Sequence, residues 1–239
     1  MYEYFFVLIP RHLPFLMEGA VVTLELSVLS MVFAVLIGLL CALGRTSGQP
    51  LLAGAVAAYV EVMRDVPLLI VLLVIFFTLP QIGISLPGFW AGVLGLSLNV
   101  GAYLSEVFRA ALGAVDKGEK EAGFSLGMSR LEVFRRITLP QAMRLAIPTV
   151  GGFFIALLKD SSLVSFIAVS DLMRQGTILI ADTFRSMEIY FMVAMIYFCM
   201  SFVASRLVRR IEHALTPRYL RTAPASARAT ALRPDVVAS

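Results

Sequence analysis

The sequence predicts an all-α, polytopic membrane protein with five transmembrane helices. Of its 239 residues, 59% are hydrophobic and only 15% are charged, and the mean hydropathy is +0.87. A soluble domain carries about 25% charged residues and could not bury this much apolar surface. The composition also excludes a disordered chain, and two cysteines exclude a disulfide scaffold. A net charge of +4 is too small to indicate nucleic acid binding.

The first span is defined by a run without charge. Residues 26–44 carry no charged side chain, and the apolar stretch begins at Ala20. The first span is therefore predicted over 20–43, which is long enough to cross about 30 Å of hydrocarbon. Its length, and the presence of Glu25 within it, exclude a signal peptide.

The next two spans share one charge-free stretch, residues 66–105, which prolines and glycines at 80–88 divide into two helices. Residues 66–79 alone would form about 21 Å of helix, which is too short to span a bilayer. The second span is therefore extended back to cover 55–79. The third span is predicted over 89–112.

The last two spans are predicted over 145–169 and 189–208. Loops on one side of the predicted bundle carry fourteen Lys and Arg residues, against three on the other side. The positive-inside rule then places the N-terminus outside and the C-terminus inside. Residues 1–15 are predicted to be a periplasmic N-terminal segment, and residues 214–239 are predicted to be a small, polar and disordered cytoplasmic tail.

Residues 114–146 are the one long polar segment between spans, and they are predicted to form two short cytoplasmic helices joined by a glycine turn. Asp116 and Ser129 each begin a capping-box pattern with a glutamate three residues on, and Gly127 suits a left-handed helix stop. Exposed apolar side chains favour a partner surface. Two other interpretations are a DNA-reading helix-turn-helix, which the flanking spans disfavour, and a solvated loop that only sets the topology.

This segment contains Glu121-Ala122-Gly123, followed by Gly127 and later by Leu139-Pro140, and it resembles the EAA loop of bacterial ABC importer permeases. Over residues 16–213 the chain is similar to the polar amino acid importer family, of the histidine/glutamine permease type. The other matching motifs, in chain order, are Thr23-Leu24, Tyr59-Val60-Glu61, Arg64, Pro67-Leu68-Leu69, Gly101-Ala102-Tyr103, Glu106, Arg109, Lys117-Gly118, Gln141-Ala142 and Lys159-Asp160-Ser161-Ser162-Leu163.

The resemblance implies a type I ABC importer permease fold over 16–213. It also implies that the EAA loop seats on a cytoplasmic ATPase, with Glu121, Ala122 and Gly127 at the core of that contact. The implied partners are an ATPase dimer, a second permease (an identical copy or a sister subunit), and a periplasmic or tethered solute-binding protein.

The chain departs from the family pattern at several positions. Glu119 replaces the usual glutamine, Gly123 the usual alanine, Asp65-Val66 the usual Gly-Thr, Gly152 the usual asparagine and Ser161 the usual threonine. Gly123 is expected to loosen its helix by about 1 kcal/mol relative to alanine.

Charged side chains within spans are the other functional candidates, because they are costly at bilayer depth. Glu61 with Arg64, and Glu106 with Arg109, are three residues apart and are predicted to form structural ion pairs. The candidate substrate path comprises Asn99, Tyr103, Lys159, Asp160, Ser161 and Ser162. An alternative role for Lys159 and Asp160 is an ion pair with another helix. An alternative role for Asn99 is a hydrogen bond between helices.

The sequence contains no GxxxxGK[ST] motif, so the chain is predicted to hold no nucleotide of its own. ATP and Mg²⁺ would belong to the partner ATPase. Two histidines and no metal-ligand cluster leave no catalytic motif, so an enzyme is not predicted. The predicted function is the permease subunit of an ABC importer in the bacterial cytoplasmic membrane, moving an amino acid or related polar solute by alternating access. The alternative is an ion-coupled secondary transporter, which inverted repeats would mark.

Overall fold

The computed structural model describes residues 9–215, and every regular element in that range is a helix. Residues 1–8 and 216–239, which contain part of the predicted N-terminal segment and nearly all of the predicted tail, lie outside the described residues. The α-helices are α1 (Ile9–Thr46), α2 (Pro50–Asp65), α3 (Leu68–Leu73), α4 (Gly88–Gly113), α5 (Lys117–Ser125), α6 (Arg130–Val133), α7 (Leu139–Asp160), α8 (Leu172–Thr183) and α9 (Ser186–Leu215).

The all-α class is confirmed within the described range. The helical stretches that are long and apolar enough to cross a membrane are Pro10–Thr46, Gly88–Gly113, Arg130–Ile167 and Ser186–Ala214, with a fifth crossing if α2 and α3 count as one bent span. The predicted span 89–112 coincides closely with α4, and 189–208 lies within α9. Residues 9–15, predicted to belong to the N-terminal segment, form the first turns of α1.

The prediction of one helix over 55–79 is wrong. α2 ends at Asp65, and the chain bends by 108° before the next helical stretch, Leu68–Ile82. The cause is Pro67, because proline disfavours the helical conformation of the residue before it. Val66 accordingly has extended backbone angles, with φ −82° and ψ 129°.

The fourth span begins earlier than the predicted 145–169. The helix continues without interruption from Arg130 to Ile167, through a π segment and a final 3₁₀ segment. The second short helix of the 114–146 segment is therefore the beginning of the same continuous helix that forms the fourth span and not a separate element.

Both π segments precede a Leu-Pro pair. Phe134–Thr138 leads into Leu139-Pro140, and Val74–Thr78 leads into Leu79-Pro80. Proline has no N–H to donate and crowds the preceding turn. The helix adapts by widening, so that the N–H of Leu139 donates to the carbonyl of Phe134, five residues back.

The most extensive helix contact joins α1 to α4, and two glycines permit it. A Cβ atom at Gly38 would lie 2.8 Å from the Cβ of Leu104, and one at Gly101 would lie 2.9 Å from Cγ2 of Ile37. Small residues let membrane helices approach this closely, which gives van der Waals packing that lipid cannot replace.

No helix is predicted from the sequence between the fourth and fifth spans, yet α8 lies there. The carboxylate of Asp171 caps it by accepting hydrogen bonds from the N–H groups of Met173 (3.2 Å) and Arg174 (3.0 Å). An aspartate at this position satisfies N–H groups that have no partner within the helix.

The start of α8 is fixed to two spans. The N–H of Leu172 donates to Oγ1 of Thr23 on α1 (3.1 Å), and the hydroxyl of Tyr197 on α9 donates to the Asp171 carboxylate (3.4 Å). Burial raises the pKa of Asp171 to about 6, although the two capping N–H groups and Tyr197 each act to lower it. Desolvation is therefore the larger effect at this carboxyl.

We expect the Asp171 carboxyl to make the protein more stable as the pH falls. Its pKa is higher in the folded protein than its ordinary value of 3.8, so between these values the folded state binds more protons than the unfolded state. The unfolding temperature of the purified protein, minus that of Asp171→Asn, should increase as the pH is lowered from about 7.5 to about 5. Both proteins share all other titrating groups, so a difference that does not vary with pH would contradict this assignment.

Candidate functional site

The first helix of the 114–146 segment is α5, and its N-terminus is capped by Asp116, whose carboxylate accepts a hydrogen bond from the N–H of Gly118 (2.6 Å). The predicted second half of this capping box is wrong. Glu119 does not bond back to Asp116 and instead accepts from the side-chain amide of Gln141. Gln141 lies in the first turns of α7, so this bond joins α5 to α7.

The glycine turn ends α5 in a Schellman motif. The N–H of Met128 donates to the carbonyl of Gly123 (3.1 Å), and the N–H of Gly127 donates to that of Phe124 (2.9 Å). Gly127 has φ +78°, a left-handed backbone conformation that is unfavourable for residues other than glycine. The next helix then begins at once with a complete capping box between Ser129 and Glu132.

Gly123 faces inward at the point where α5 crosses the start of the fourth span. A Cβ atom there would lie 2.8 Å from Cδ1 of Ile137 and 3.0 Å from Cγ2 of Val133. The absence of a side chain therefore allows the two helices to touch. Leu139 and Pro140, also predicted for this site, begin α7 and are partly buried.

The outer face of α5 and its turn is exposed. Glu121 and Ala122 lie on this face, and the large apolar side chains of Phe124, Leu126 and Leu131 are 48%, 82% and 64% exposed. We call Glu121, Ala122, Phe124, Leu126 and Leu131 the coupling surface. Several apolar side chains clustered around a carboxylate indicate a contact site for another protein.

A second candidate site forms where α2 breaks. The last carbonyls of a helix have no partner within it, and in a membrane each must find a donor. The carbonyl of Val62 accepts a hydrogen bond from the N–H of Val66 (3.0 Å). The carbonyls of Met63 and Arg64 are reached from α4, by the amide of Asn99 (2.6 Å) and the hydroxyl of Tyr103 (3.2 Å).

Next to this break lies a cavity of about 380 Å³. Its lining is apolar apart from five side chains, which are Arg64, Asp65, Asn99, Tyr103 and Asp160. The structure thus brings together three residues of the predicted substrate path, from α4 and α7, with two residues at the end of α2. We call this space the break cavity.

The other three residues of the predicted path lie outside the lining of the break cavity. Lys159 is exposed on a different face of α7, because neighbouring helical residues point about 100° apart. Ser161 is buried, and its hydroxyl donates to the carbonyl of Leu158 (2.8 Å). The carbonyl of Ser162 accepts a hydrogen bond from the hydroxyl of Ser165 (2.8 Å).

One of the two predicted ion pairs is present. Arg109 donates twice to Glu106, at 2.9 and 2.7 Å, and Arg45 on α1 binds the other carboxylate oxygen. The predicted pair between Glu61 and Arg64 is absent from the part of the chain that the structure describes. The guanidinium of Arg64 instead lies over the ring of Tyr103, 5.5 Å from its centre.

Two site residues, Arg45 and Asp65, were not among the predicted ones. Arg45 is 61 positions from Glu106, so no local spacing could link them. Asp65 lies two residues before Pro67, and a proline that interrupts an apolar stretch is a signal for a broken membrane helix.

Comparison with known proteins decides the family. Residues 34–217 match the family described as binding-protein-dependent transport system inner membrane component. The chain belongs to this family. The match favours the predicted permease over the ion-coupled alternative, because a transport system of this kind depends on a separate binding protein.

The permease is similar to curated relatives along most of its length. It is 38% identical over 202 residues to the glutamine transport system permease protein GlnP of Escherichia coli (strain K12), covering 84% of this chain and 92% of that protein. It is 38% identical over 203 residues to the L-cystine transport system permease protein TcyB of Bacillus subtilis (strain 168), covering 84% and 87%. The predicted resemblance to amino acid permeases is thereby confirmed.

Solved structures confirm the ABC importer permease fold. A chain from the crystal structure of an amino acid ABC transporter with histidines matches with a TM-score of 0.82 and 38% identity, covering 87% of this permease and 98% of that chain. A chain of the inward-facing MetNI methionine ABC transporter shares the fold at a TM-score of 0.71 and 21% identity, covering 86% and 98%.

We expect Tyr103→Phe to impair transport because the carbonyl of Arg64 loses its donor beside the break cavity. The lost hydrogen bond is worth about 1 kcal/mol, so initial uptake rates should fall several-fold while insertion persists. Tyr59→Phe is the matched control, since it deletes the bond from Tyr59 to the carbonyl of Leu98 (2.7 Å), outside the cavity lining. Equal effects of the two variants on uptake would contradict a special role for the break.

Proposed function

We propose that this permease moves an amino acid across the bacterial cytoplasmic membrane as the membrane-spanning subunit of an ABC importer. The observation that carries the proposal is the break cavity, an open recess whose lining includes a guanidinium and two carboxylates. Its volume suits a small polar solute. The similarity to glutamine and L-cystine permeases supports an amino acid as that solute.

The cavity offers complements for both charges of an amino acid. Arg64 can hold the α-carboxylate through paired N–H donors, and an aspartate such as Asp160 can accept from the ammonium. Asn99 and Tyr103 act mainly by holding the end of α2 in place, because their polar atoms are engaged with its carbonyls. Lys159, Ser161 and Ser162 adjoin Asp160 in the chain but do not line the cavity.

The coupling surface is the docking site for the partner ATPase. Its exposed apolar side chains would be buried against that subunit, and the Glu121 carboxylate would supply a polar contact. Gly123 and Gly127 let α5 lie flat against the fourth span, so that the surface is held rigidly.

Force from the ATPase would reach the cavity through one helix. The helix that begins beside the coupling turn runs unbroken from Arg130 to Asp160, about 45 Å at 1.5 Å per residue. Rigid-body motion of this rod would move Asp160 whenever the coupling surface moves. Alternating access is then a switch between two packed states, biased by ATP at one end and solute at the other.

The full transporter would contain an ATPase dimer that binds ATP and Mg²⁺, a second permease (a copy or a sister subunit), and a periplasmic or tethered solute-binding protein. The excess of Lys and Arg on the side of the coupling surface supports a cytoplasmic position for it. The N-terminus would then be outside and the C-terminus inside.

We expect Glu121→Lys to abolish association with the ATPase while the permease still inserts in the membrane. Reversing this charge would place an unmatched lysine in the contact. Copurification of a tagged ATPase with each permease variant measures the effect. Asp182→Lys is the matched control, since Asp182 is exposed on α8 outside the 114–146 segment. Unchanged ATPase recovery with Glu121→Lys would remove Glu121 from the docking site.

We expect Asp160→Asn to lower amino acid uptake at least tenfold, because loss of a charge-assisted hydrogen bond costs about 1.5–3 kcal/mol. Initial rates are measured in proteoliposomes that contain the complete importer and internal ATP. Copurified ATPase is the control for assembly. Uptake kinetics identical to those of the unaltered permease would place Asp160 outside the substrate path. Uptake driven by a proton gradient without any ATPase would contradict the importer itself.

A further inference from the structure

An exposed face of α9 changes from apolar to basic near the end of the helix. Phe198 and Phe202 are 62% and 47% exposed, and their rings stack with centres 6.1 Å apart. Arg206 and Arg210 are exposed and continue the same row, because residues four apart lie one above the other on a helix. We call these four residues the α9 stripe. An apolar surface that ends in two guanidiniums complements a phospholipid with an anionic headgroup.

The arginines of the α9 stripe lie where the apolar part of the helix ends. Residues Ile189–Ser205 carry no charge, and they form about 26 Å of helix, close to the hydrocarbon thickness of about 30 Å. The whole helix, Ser186–Leu215, is about 45 Å long, so its last turns extend beyond the hydrocarbon. Arg206 and Arg210 are therefore at the level of the headgroups, where long basic side chains can reach phosphate oxygens.

The positive charge of the α9 stripe is positioned but not neutralised. The guanidinium of Arg206 lies over the ring of Phe202, 4.8 Å from its centre, which orients the cation and keeps its charge. Within residues 9–215, no salt bridge engages Arg206, Arg209 or Arg210. Glu212 is the one acidic residue between 189 and 215, so the end of α9 carries a positive excess.

The α9 stripe is separate from the coupling surface. α9 runs antiparallel to α7, since Tyr197 interacts with Ser161, and Val208 packs against Gly151 so closely that a Cβ atom there would overlap it. Gly151 lies about 30 Å along the continuous helix from Arg130, which directly follows the coupling turn. The contact that the coupling surface makes with another protein is therefore not the contact that the stripe makes.

A second copy of the permease does not complement the α9 stripe through twofold symmetry. Two copies that met there would bring the same surface together, and the arginines of both copies would face each other and repel. A phosphate instead brings a negative charge and several acceptor oxygens to each guanidinium. Charge complementarity thus favours an anionic lipid as the occupant.

We propose that the α9 stripe is a binding site for an anionic phospholipid such as phosphatidylglycerol. The phosphate accepts hydrogen bonds from Arg206 and Arg210, and an acyl chain lies along Phe198 and Phe202. The bound lipid holds the end of α9 beside α7, because Val208 is seated against that helix between the two arginines. The site does not depend on which solute the permease moves.

Site-specific crosslinking identifies what contacts the stripe. Leu207 is exposed beside Arg206, and benzoylphenylalanine replaces it in the permease of the assembled importer. The importer is placed in nanodiscs that contain equal amounts of phosphatidylglycerol and phosphatidylcholine, and is then irradiated. Mass spectrometry of the permease should show phosphatidylglycerol adducts in about fivefold excess over phosphatidylcholine adducts, because each arginine at a membrane surface attracts anionic lipid.

Leu40 provides the matched position on another helix. It is exposed on α1 near Arg45, whose guanidinium is already engaged by Glu106. Benzoylphenylalanine at Leu40 should therefore give about equal yields of the two lipid adducts. This comparison needs no substitution of an arginine, so it decides the question even if an arginine variant fails to insert.

Variants of the arginines test their charge directly. Arg206→Gln combined with Arg210→Gln should reduce the lipid adducts at position 207 to about equal yields. Arg206→Lys combined with Arg210→Lys keeps both charges and should retain most of the excess. Arg174→Gln combined with Arg185→Gln removes two exposed arginines elsewhere in the chain and should leave the excess unchanged.

Equal yields of the two lipid adducts at Leu207, a similar phosphatidylglycerol excess at Leu40, or an excess that persists in the double glutamine variant would overturn the inference. Crosslinks from Leu207 to a second permease or to the ATPase in place of lipid would overturn it as well. None of these outcomes would affect the proposed transport function, which rests on the break cavity and the coupling surface.

Discussion

Backbone carbonyls within a bilayer must each find a hydrogen-bond donor, and this constraint determines how α2 can break. Pro67 ends the helix and leaves its last carbonyls without partners inside α2. Asn99 and Tyr103 reach two of them from α4 and thereby fix the position of Arg64 and Asp65. The shape of the cavity and the position of its charged side chains depend on these bonds, because they hold the end of α2 against α4.

The continuous helix Arg130–Ile167 begins beside the coupling turn and reaches the break cavity at Asp160. Pro140 does not interrupt this helix, because the preceding π segment, Phe134–Thr138, widens the helix and so accommodates a residue that has no N–H to donate. The capping box at Ser129 begins the helix directly after the glycine turn. A continuous helix is what the proposed coupling needs, because in the proposed importer the work would arrive from a separate ATPase and would have to reach Asp160.

The sequence predicts best what depends on local chemistry. The span 89–112 follows from absent charges, and the turn at Gly127 follows from helix-stop rules, so α4 and the coupling turn are close to expectation. The bend at Pro67 was missed because the length needed for a span outweighed the proline signal. Tertiary packing joins Arg45 to Glu106 and places Asp65 and Asp160 in the lining of one cavity. No spacing in the sequence reveals either arrangement.

The central claim is that the break cavity holds the transported amino acid, and chemical modification inside it tests this most directly. Ala156 lines the cavity, so Ala156→Cys places a thiol there in a chain whose Cys41 and Cys199 are replaced by alanine. The rate of modification by a small methanethiosulfonate reagent is measured on the assembled importer, with and without the transported amino acid. Our account predicts that the amino acid slows modification in a saturable manner. Identical rates with and without it would contradict the account.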